Sequence, residues 1–322
     1  MNIHRIGLRA SAVLLAVPLA ASPLPDYRAE LNIPYCTVDG TTQVLNAFLP
    51  PATGEPVPAM VEIHGGAFLG GGPLGRLDEV PAWRVFASRR IAVFSISYRL
   101  ALAGGFPQNI RDCRNAVRFI RQNAARFHID PNRIGSMGGS AGGHLSLMVA
   151  MVPEEFDDGG PTPGLRGVSA RTCGCFSWIP PTDLAGLWNP PPAVQLDRGA
   201  ETPIQSGLRL LFHGVAPDTA AHRELYDRMS PIGQVRKDLP PLLICDGERD
   251  PIVPGQQGRQ LQEKLRRAGA DSTYWMTPAT GHNFPGGPGF SNLLDRFIER
   301  ILSHPSRDWS SPKRGQRVRS GI

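Results

Sequence analysis

One serine in this chain stands where a hydroxyl can be turned into a nucleophile. Gly138-Gly139-Ser140-Ala141-Gly142 fits the pattern G-x-S-x-G. A strand-like run, Arg133 to Met137, precedes it, and a helix-like run from Ala141 to about Val152 follows. A sharp strand–turn–helix of this kind lifts the Ser140 hydroxyl above a sheet and aims the Ala141 N–H at the space in front of it. The same pattern also describes a glycine-rich turn that only binds an anion. A serine needs a base to take its proton, and the base needs an orienting acid. With an acid lying between them in the chain, four histidines follow Ser140: His213, His222, His282 and His304. His282, in Gly281-His282-Asn283-Phe284, occupies a loop between a predicted strand, Ser272 to Met276, and the last helix. His213 and His222 fall in an irregular stretch, and His304 begins a polar tail. Asp246-Gly247-Glu248-Arg249-Asp250 follows the predicted strand Leu242 to Cys245. Asp250 lies furthest into that loop and is stiffened by Pro251, so it is the favoured acid, with Glu248 and Asp246 in reserve. The chemistry that such a trio performs is nucleophilic acyl transfer.

A second glycine turn completes the picture. His64-Gly65-Gly66-Ala67-Phe68 follows the apolar run Ala59 to Ile63. Two consecutive glycines at a strand end let backbone N–H groups point at a developing negative charge. A plain strand-end turn has the same composition.

These loops need a frame. Leu31 to Val38 and Thr42 to Leu49 flank Asp39-Gly40 and read as an antiparallel hairpin. Glu79 to Ser88 reads as a helix and Ile91 to Tyr98 as a strand. Ile110, Cys113, Val117, Ile120 and Ala124 recur at helical spacing, and the helix stops before the turn signal Asp130-Pro131-Asn132. Residues 153–171 read as a Gly/Pro-rich loop and Cys173 to Ile179 as a strand. Residues 180–238, with Pro190-Pro191-Pro192, read as an irregular insertion that could cover a site. Gln256 to Ala268 is a helix, and Leu293 to Leu302 marks a closing one. From residue 59 strands alternate with helices, which predicts a mostly parallel sheet with helices on both faces and the hairpin at one edge.

The remaining features bound the class. A chain of 322 residues, 41% apolar and 19% charged, can build a full core. Of the net charge of +6, the first 22 residues carry +2 and the last 20 carry +4, so the body is neutral. A basic patch for nucleic acid is therefore not expected on the domain. His4, Arg5 and Arg9 precede the uncharged run Ala10 to Ala21, and small residues follow. At about 12 residues this run suits a signal peptide over 1–22, and with it export, and is too short to span a bilayer. An uncleaved apolar arm is the alternative. Residues 23–302 form the expected domain, and 303–322 a basic disordered tail. The five cysteines, Cys36, Cys113, Cys173, Cys175 and Cys245, lack C-x-x-C spacing. They read as small buried apolar residues, with no pair singled out for a bridge. Cys173 and Cys175, two apart, are expected on one strand face.

Together these residues resemble the hormone-sensitive-lipase-like and feruloyl/acetyl-xylan-esterase-like branch of α/β-hydrolases. The resemblance rests on His64 to Phe68, Ser97-Tyr98-Arg99-Leu100, Phe106-Pro107, Asp130 to Ile134, Gly138 to His144, Ser230-Pro231, Asp250-Pro251-Ile252-Val253-Pro254 and Gly281-His282. It spans nearly all of residues 31–302. It implies the α/β-hydrolase fold and a serine carboxylesterase with catalytic Ser140, His282 and Asp250. It implies oxyanion donors at Gly66, Ala67 and Ala141, and neither metal nor organic cofactor. Where the family usually keeps a third glycine this chain has Ala67. The implied partners are small-molecule or polysaccharide esters, acetyl or feruloyl among them. Trp178 and Trp188 could line a sugar cleft or simply pack in the core. A prolyl-oligopeptidase-type peptidase and a non-catalytic binding protein on the same scaffold are the competing readings.

Overall fold

The computed structural model describes residues 26–157, 162–188 and 202–303. Among the described residues, eight strands form one sheet in the order β1-β2-β4-β3-β5-β6-β7-β8. They are β1 (Arg28–Val38), β2 (Thr41–Leu49), β3 (Val57–Ile63), β4 (Ala92–Ile96), β5 (Ile129–Gly139), β6 (Cys175–Trp178), β7 (Leu242–Gly247) and β8 (Ser272–Thr277). The first two make the expected antiparallel hairpin at one edge, and β2 joins β4 antiparallel. From β4 to β8 every pairing is parallel. The helices are α1 (Trp83–Ser88), α2 (Gln108–Gln122), α3 (Ala124–Phe127), α4 (Ala141–Met151), α5 (Leu184–Trp188), α6 (Pro203–Leu211), α7 (Ala220–Arg228), α8 (Gln256–Ala268) and α9 (Phe290–Ser303). This is the mostly parallel sheet that the strand–helix alternation predicts, and the α/β-hydrolase fold that the resemblance implies.

Apolar period decides which face each helix takes. On α2, Ile110, Cys113, Val117 and Ile120 join Leu145, Met148 and Val149 of α4 against one face of the sheet. On the other face, Phe86 of α1 and Phe290, Leu294, Phe297, Ile298 and Ile301 of α9 cover Met60, Val93 and Phe176. From β3 the chain moves to β4 on one side, and from β4 it crosses back over β3 to β5 on the other. At that switch point the loops after β3 and β5 open a crevice, where ligands of open parallel sheets usually bind.

Several elements differ from the sequence expectation. The helix expected over 79–88 is a 3₁₀ turn at Leu77–Glu79 followed by α1, because Pro81 cannot continue a helix. Asp130-Pro131-Asn132 lies inside β5 rather than before it. Register jumps there from Val57↔Ile129 to Ala59↔Ile134, and Asp130 Oδ1 accepts from the Asn132 N–H at 2.8 Å, so the turn signal makes a bulge. The stretch 180–238 is more helical than its composition suggests, carrying α5, α6 and α7. Thr202 and Gln205 form a reciprocal capping box on α6. Cys173 and Cys175 do not share a face. Cys173 precedes β6 and packs in the α9-side core, whereas Cys175 lies with Leu147 and Leu242. All five cysteines are free and buried. The expected signal peptide, residues 304–322 of the expected tail and residues 189–201 of the insertion lie outside the described residues. Among the described residues, no helix is long and apolar enough to cross a membrane.

Candidate active site

Ser140 stands at the junction of β5 and α4 with φ 55° and ψ −125°, a conformation that side chains rarely adopt. The surrounding packing holds it there. A Cβ on Gly142 would overlap the carbonyls of Ile63 and His64 at the end of β3, so only glycine lets α4 start this close to the neighbouring strand. All of α4 is buried, which anchors the strained residue in the core.

The three residues expected to act together meet in one hydrogen-bonded chain. His282 Nε2 lies 2.9 Å from Ser140 Oγ, and His282 Nδ1 lies 2.7 Å from Asp250 Oδ2. The other oxygen of Asp250, Oδ1, accepts the N–H groups of Ile252 and Val253 at 2.8 and 3.0 Å. These bonds fix the carboxylate, whose side chain is fully buried. A carboxylate so held favours the His282 tautomer with its proton on Nδ1, leaving Nε2 free to accept from the serine. The reserve acids point elsewhere. Asp246 accepts from the Tyr274 hydroxyl at 3.0 Å, and burial pushes its carboxyl up to about 7. Glu248 accepts from the Ala279 N–H at the surface. His222 pairs with Asp218 on exposed α7, and His213 follows α6. His304 is outside the described residues.

The loop after β3 turns through three consecutive residues of positive φ, Gly66 at 108°, Ala67 at 54° and Phe68 at 64°. The Gly66 carbonyl accepts from the Leu69 and Gly70 N–H groups, closing the turn. Phe68 then plugs into the core beside Phe106 and His144. Ala67 therefore occupies a left-handed position, where a glycine would be less strained. Among the described residues, no group accepts a hydrogen bond from the N–H of Gly66, Ala67 or Ala141. His64 braces this loop. Its ring stacks on Tyr98 at 4.3 Å, Nδ1 lies 2.8 Å from the Gly65 carbonyl, and the Tyr98 hydroxyl donates to the His64 carbonyl. Burial pulls His64 below the ordinary histidine range, which keeps it neutral. His144, one turn into α4, is held neutral the same way, pulled down to about 4.

A cavity of about 780 Å³ opens in front of Ser140. Its lining includes Gly66, Ala67 and His282, the aliphatic residues Leu69, Pro203 and Ile252, and Trp178, Phe284 and Glu62. Trp178 thus faces the cavity, whereas Trp188 packs against Tyr226 and Arg209. Glu62 went unread in the sequence. The signal was one acid inside the apolar strand Val57–Ile63. Among the described residues, no group of His, Cys, Asp and Glu is placed to hold a metal ion.

The BD-FAE family model matches residues 45–265. Esterase LipQ of Mycobacterium tuberculosis is 28% identical over 290 residues, covering 87% of this chain. The chain spans only 64% of the length of LipQ. Carboxylesterase NlhH of the same species is 30% identical over 267 residues, covering 81% of this chain and 77% of NlhH. Among solved structures, a truncated carbohydrate esterase from gut microbiota superposes with a TM-score of 0.71 at 24% identity. It covers 86% of this chain and 97% of that one, a likeness of fold.

Proposed function

Because this chain belongs to the BD-FAE family and has the α/β-hydrolase fold, we propose that it is a serine carboxylesterase working through an acyl-enzyme on Ser140. The observation that carries this reading is the unbroken chain Asp250–His282–Ser140 opening on one cavity. Relatives named as esterases and a carboxylesterase support it.

In the first half-reaction His282 Nε2 takes the hydroxyl proton as Ser140 Oγ attacks the ester carbonyl. The N–H groups of Gly66, Ala67 and Ala141 stabilise the oxyanion, and the start of α4 adds the favourable end of its dipole. His282 then returns the proton to the departing alkoxide oxygen, and the C–O bond breaks to leave the acyl-serine and a free alcohol. In the second, His282 takes a proton from water, the hydroxide adds to the acyl carbonyl, and Ser140 leaves with that proton. The products are the carboxylic acid and the alcohol. Asp250 orients His282 and balances its transient positive charge throughout. This chemistry is complete without a metal or an organic cofactor.

We further assign the substrates to small-molecule or polysaccharide esters, acetyl and feruloyl groups included. The likeness to the carbohydrate esterase directs attention there, and export over residues 1–22 would suit such a substrate. The test is hydrolysis of p-nitrophenyl acetate and butyrate by the purified chain beside Ser140→Ala. Turnover lost in the variant is expected. A folded wild-type protein that turns over neither ester would overturn the reading.

A further inference from the structure

Two polar groups that line the cavity take no part in acyl transfer itself and keep hydrogen-bonding capacity unspent among the described residues. Trp178 closes β6, and its indole Nε1 lies against Gly139, the residue before the nucleophile. A Cβ on Gly139 would overlap that nitrogen, so glycine is what admits the ring. Phe176 and Phe284 clamp the indole at centroid distances of 5.0 and 5.2 Å. Trp178 is 6% exposed, yet among the described residues no group accepts from its N–H.

Glu62 is the second group. Its register with Met137 sets it three residues short of Ser140, about 10 Å along the strand direction. The Ser95 hydroxyl donates to Glu62 Oε2 at 2.5 Å and itself accepts from the Leu74 N–H at 2.8 Å, which fixes the carboxyl beside the Leu74 loop. Among the described residues no group bonds to Oε1. The ionisable neighbours are His64 just past the end of its own strand, Tyr98 after β4, and Glu79 on the cavity lining. No Lys or Arg is among the described residues lining the cavity. Burial pushes the Glu62 carboxyl up to about 7, so below neutrality it donates as well as accepts.

An indole N–H that only donates and a carboxyl that accepts, lining one cavity from the same face of the sheet, suit hydroxyls, which do both. An alkyl chain in this place would leave both groups desolvated and unpaired, a cost that a hydroxyl avoids. A carboxylate would face Glu62 and Glu79 with no counter-charge. The alcohol half of the ester belongs near these groups. His282 must protonate the departing oxygen, and the residues after it, Asn283 and Phe284, line the cavity toward Trp178.

We propose that Glu62 and Trp178 form a hydroxyl-binding subsite for the alcohol half of the substrate, selecting esters of neutral polyols over alkyl esters and over esters carrying a carboxylate. The proposal rests on the esterase reading above. It is tested by measuring kcat/KM for a mono-acetylated methyl glycoside and for cyclohexyl acetate, a ring of like size without hydroxyls. The wild-type ratio should favour the glycoside. Trp178→Phe and Glu62→Met should each lower that ratio about tenfold, through KM for the glycoside, while Glu62→Gln, which keeps a donor and an acceptor, should largely restore it. A wild-type ratio near unity, or a ratio unmoved by Trp178→Phe and Glu62→Met, would overturn the subsite and leave the esterase standing. Folded wild-type protein that does not turn over p-nitrophenyl acetate would remove the esterase reading and the subsite with it. Inhibition of wild-type hydrolysis needs no variant. The free methyl glycoside should inhibit more strongly than cyclohexanol, and equal or weaker inhibition would overturn the proposal.

Discussion

Two buried polar clusters in this molecule are built from the same kinds of groups and differ in what they leave over. Against residues 154–157 and 168–171, Arg114, Arg118 and Arg121 of α2 are 1%, 1% and 5% exposed. Arg114 Nε bonds Asp157 at 2.5 Å, and Arg118 bonds the other oxygen of Asp157 and the Val168 carbonyl. Arg121 is spent on the carbonyls of Pro131, Ser169 and Arg171. Nearly every donor there has found an acceptor. At the cavity, by contrast, the Ser140 hydroxyl meets a base that can take its proton, and the N–H groups of Gly66, Ala67 and Ala141 carry no partner among the described residues. A saturated cluster ties a loop to a helix. A cluster with unspent donors and a movable proton can meet a substrate.

That contrast predicts opposite responses to substitution. Ser140→Ala should lower kcat for p-nitrophenyl acetate by on the order of 10⁴–10⁶. Its melting temperature should hardly move, since a small hydroxyl is lost from a cavity wall. A residual rate within tenfold of wild type would refute the role given to Ser140. Asp250→Asn should cost on the order of 10²–10⁴ in kcat, because an amide no longer secures the His282 tautomer or balances its charge. Steady-state rates beside a thermal melt separate this effect from unfolding.

Asp157→Ala reverses the pattern. It strands Arg114 and Arg118 without their shared carboxylate and should cost about 3–5 kcal/mol in chemical denaturation. The kcat per folded molecule should stay within about twofold. A large loss of kcat in folded protein would dissolve the distinction between the two clusters.

The smallest effect concerns pH. Glu62 has a folded value near 7, raised from 4.5 mainly by burial and opposed by the Ser95 hydroxyl. For a raised acid the stabilising contribution is full below the unfolded value and is lost as pH rises through the folded one. Wild type should therefore lose stability between about pH 4.5 and 7, by up to roughly 3 kcal/mol from this group. Glu62→Gln should lose less over the same window. Denaturation of both proteins at pH 5 and pH 8 decides it, and parallel losses would mean that Glu62 ionises without cost.

Much of the frame was legible because it rests on local rules. The apolar period of Ile110 to Ile120 gave α2, and the Asp39-Gly40 hairpin placed the antiparallel edge. Alternation of strand and helix gave the parallel sheet, and loops at strand ends gave Ser140, His282 and the glycine turn as candidates. Where local signals competed, reading failed. Pro81 cut a helix, the Asp130-Pro131-Asn132 turn signal became a bulge within β5, and glycines and prolines around 180–238 hid the Thr202 cap of α6.

The sequence by itself determined which side chains could do chemistry, since the types and order of Ser140, Asp250 and His282 are covalent facts. It left Asp246, Glu248 and Asp250 as rivals, because three acids within five residues differ only in where the backbone aims them. Tertiary structure decided among their geometries: the Ile252 and Val253 N–H groups hold one carboxylate toward His282, while Tyr274 takes Asp246. Likewise, nothing local marks Arg114, Arg118 and Arg121 as buried, or puts Glu62 and Trp178 on one cavity. Burial and pairing across distant segments depend on which surfaces the fold brings together, and only the packed chain supplies that.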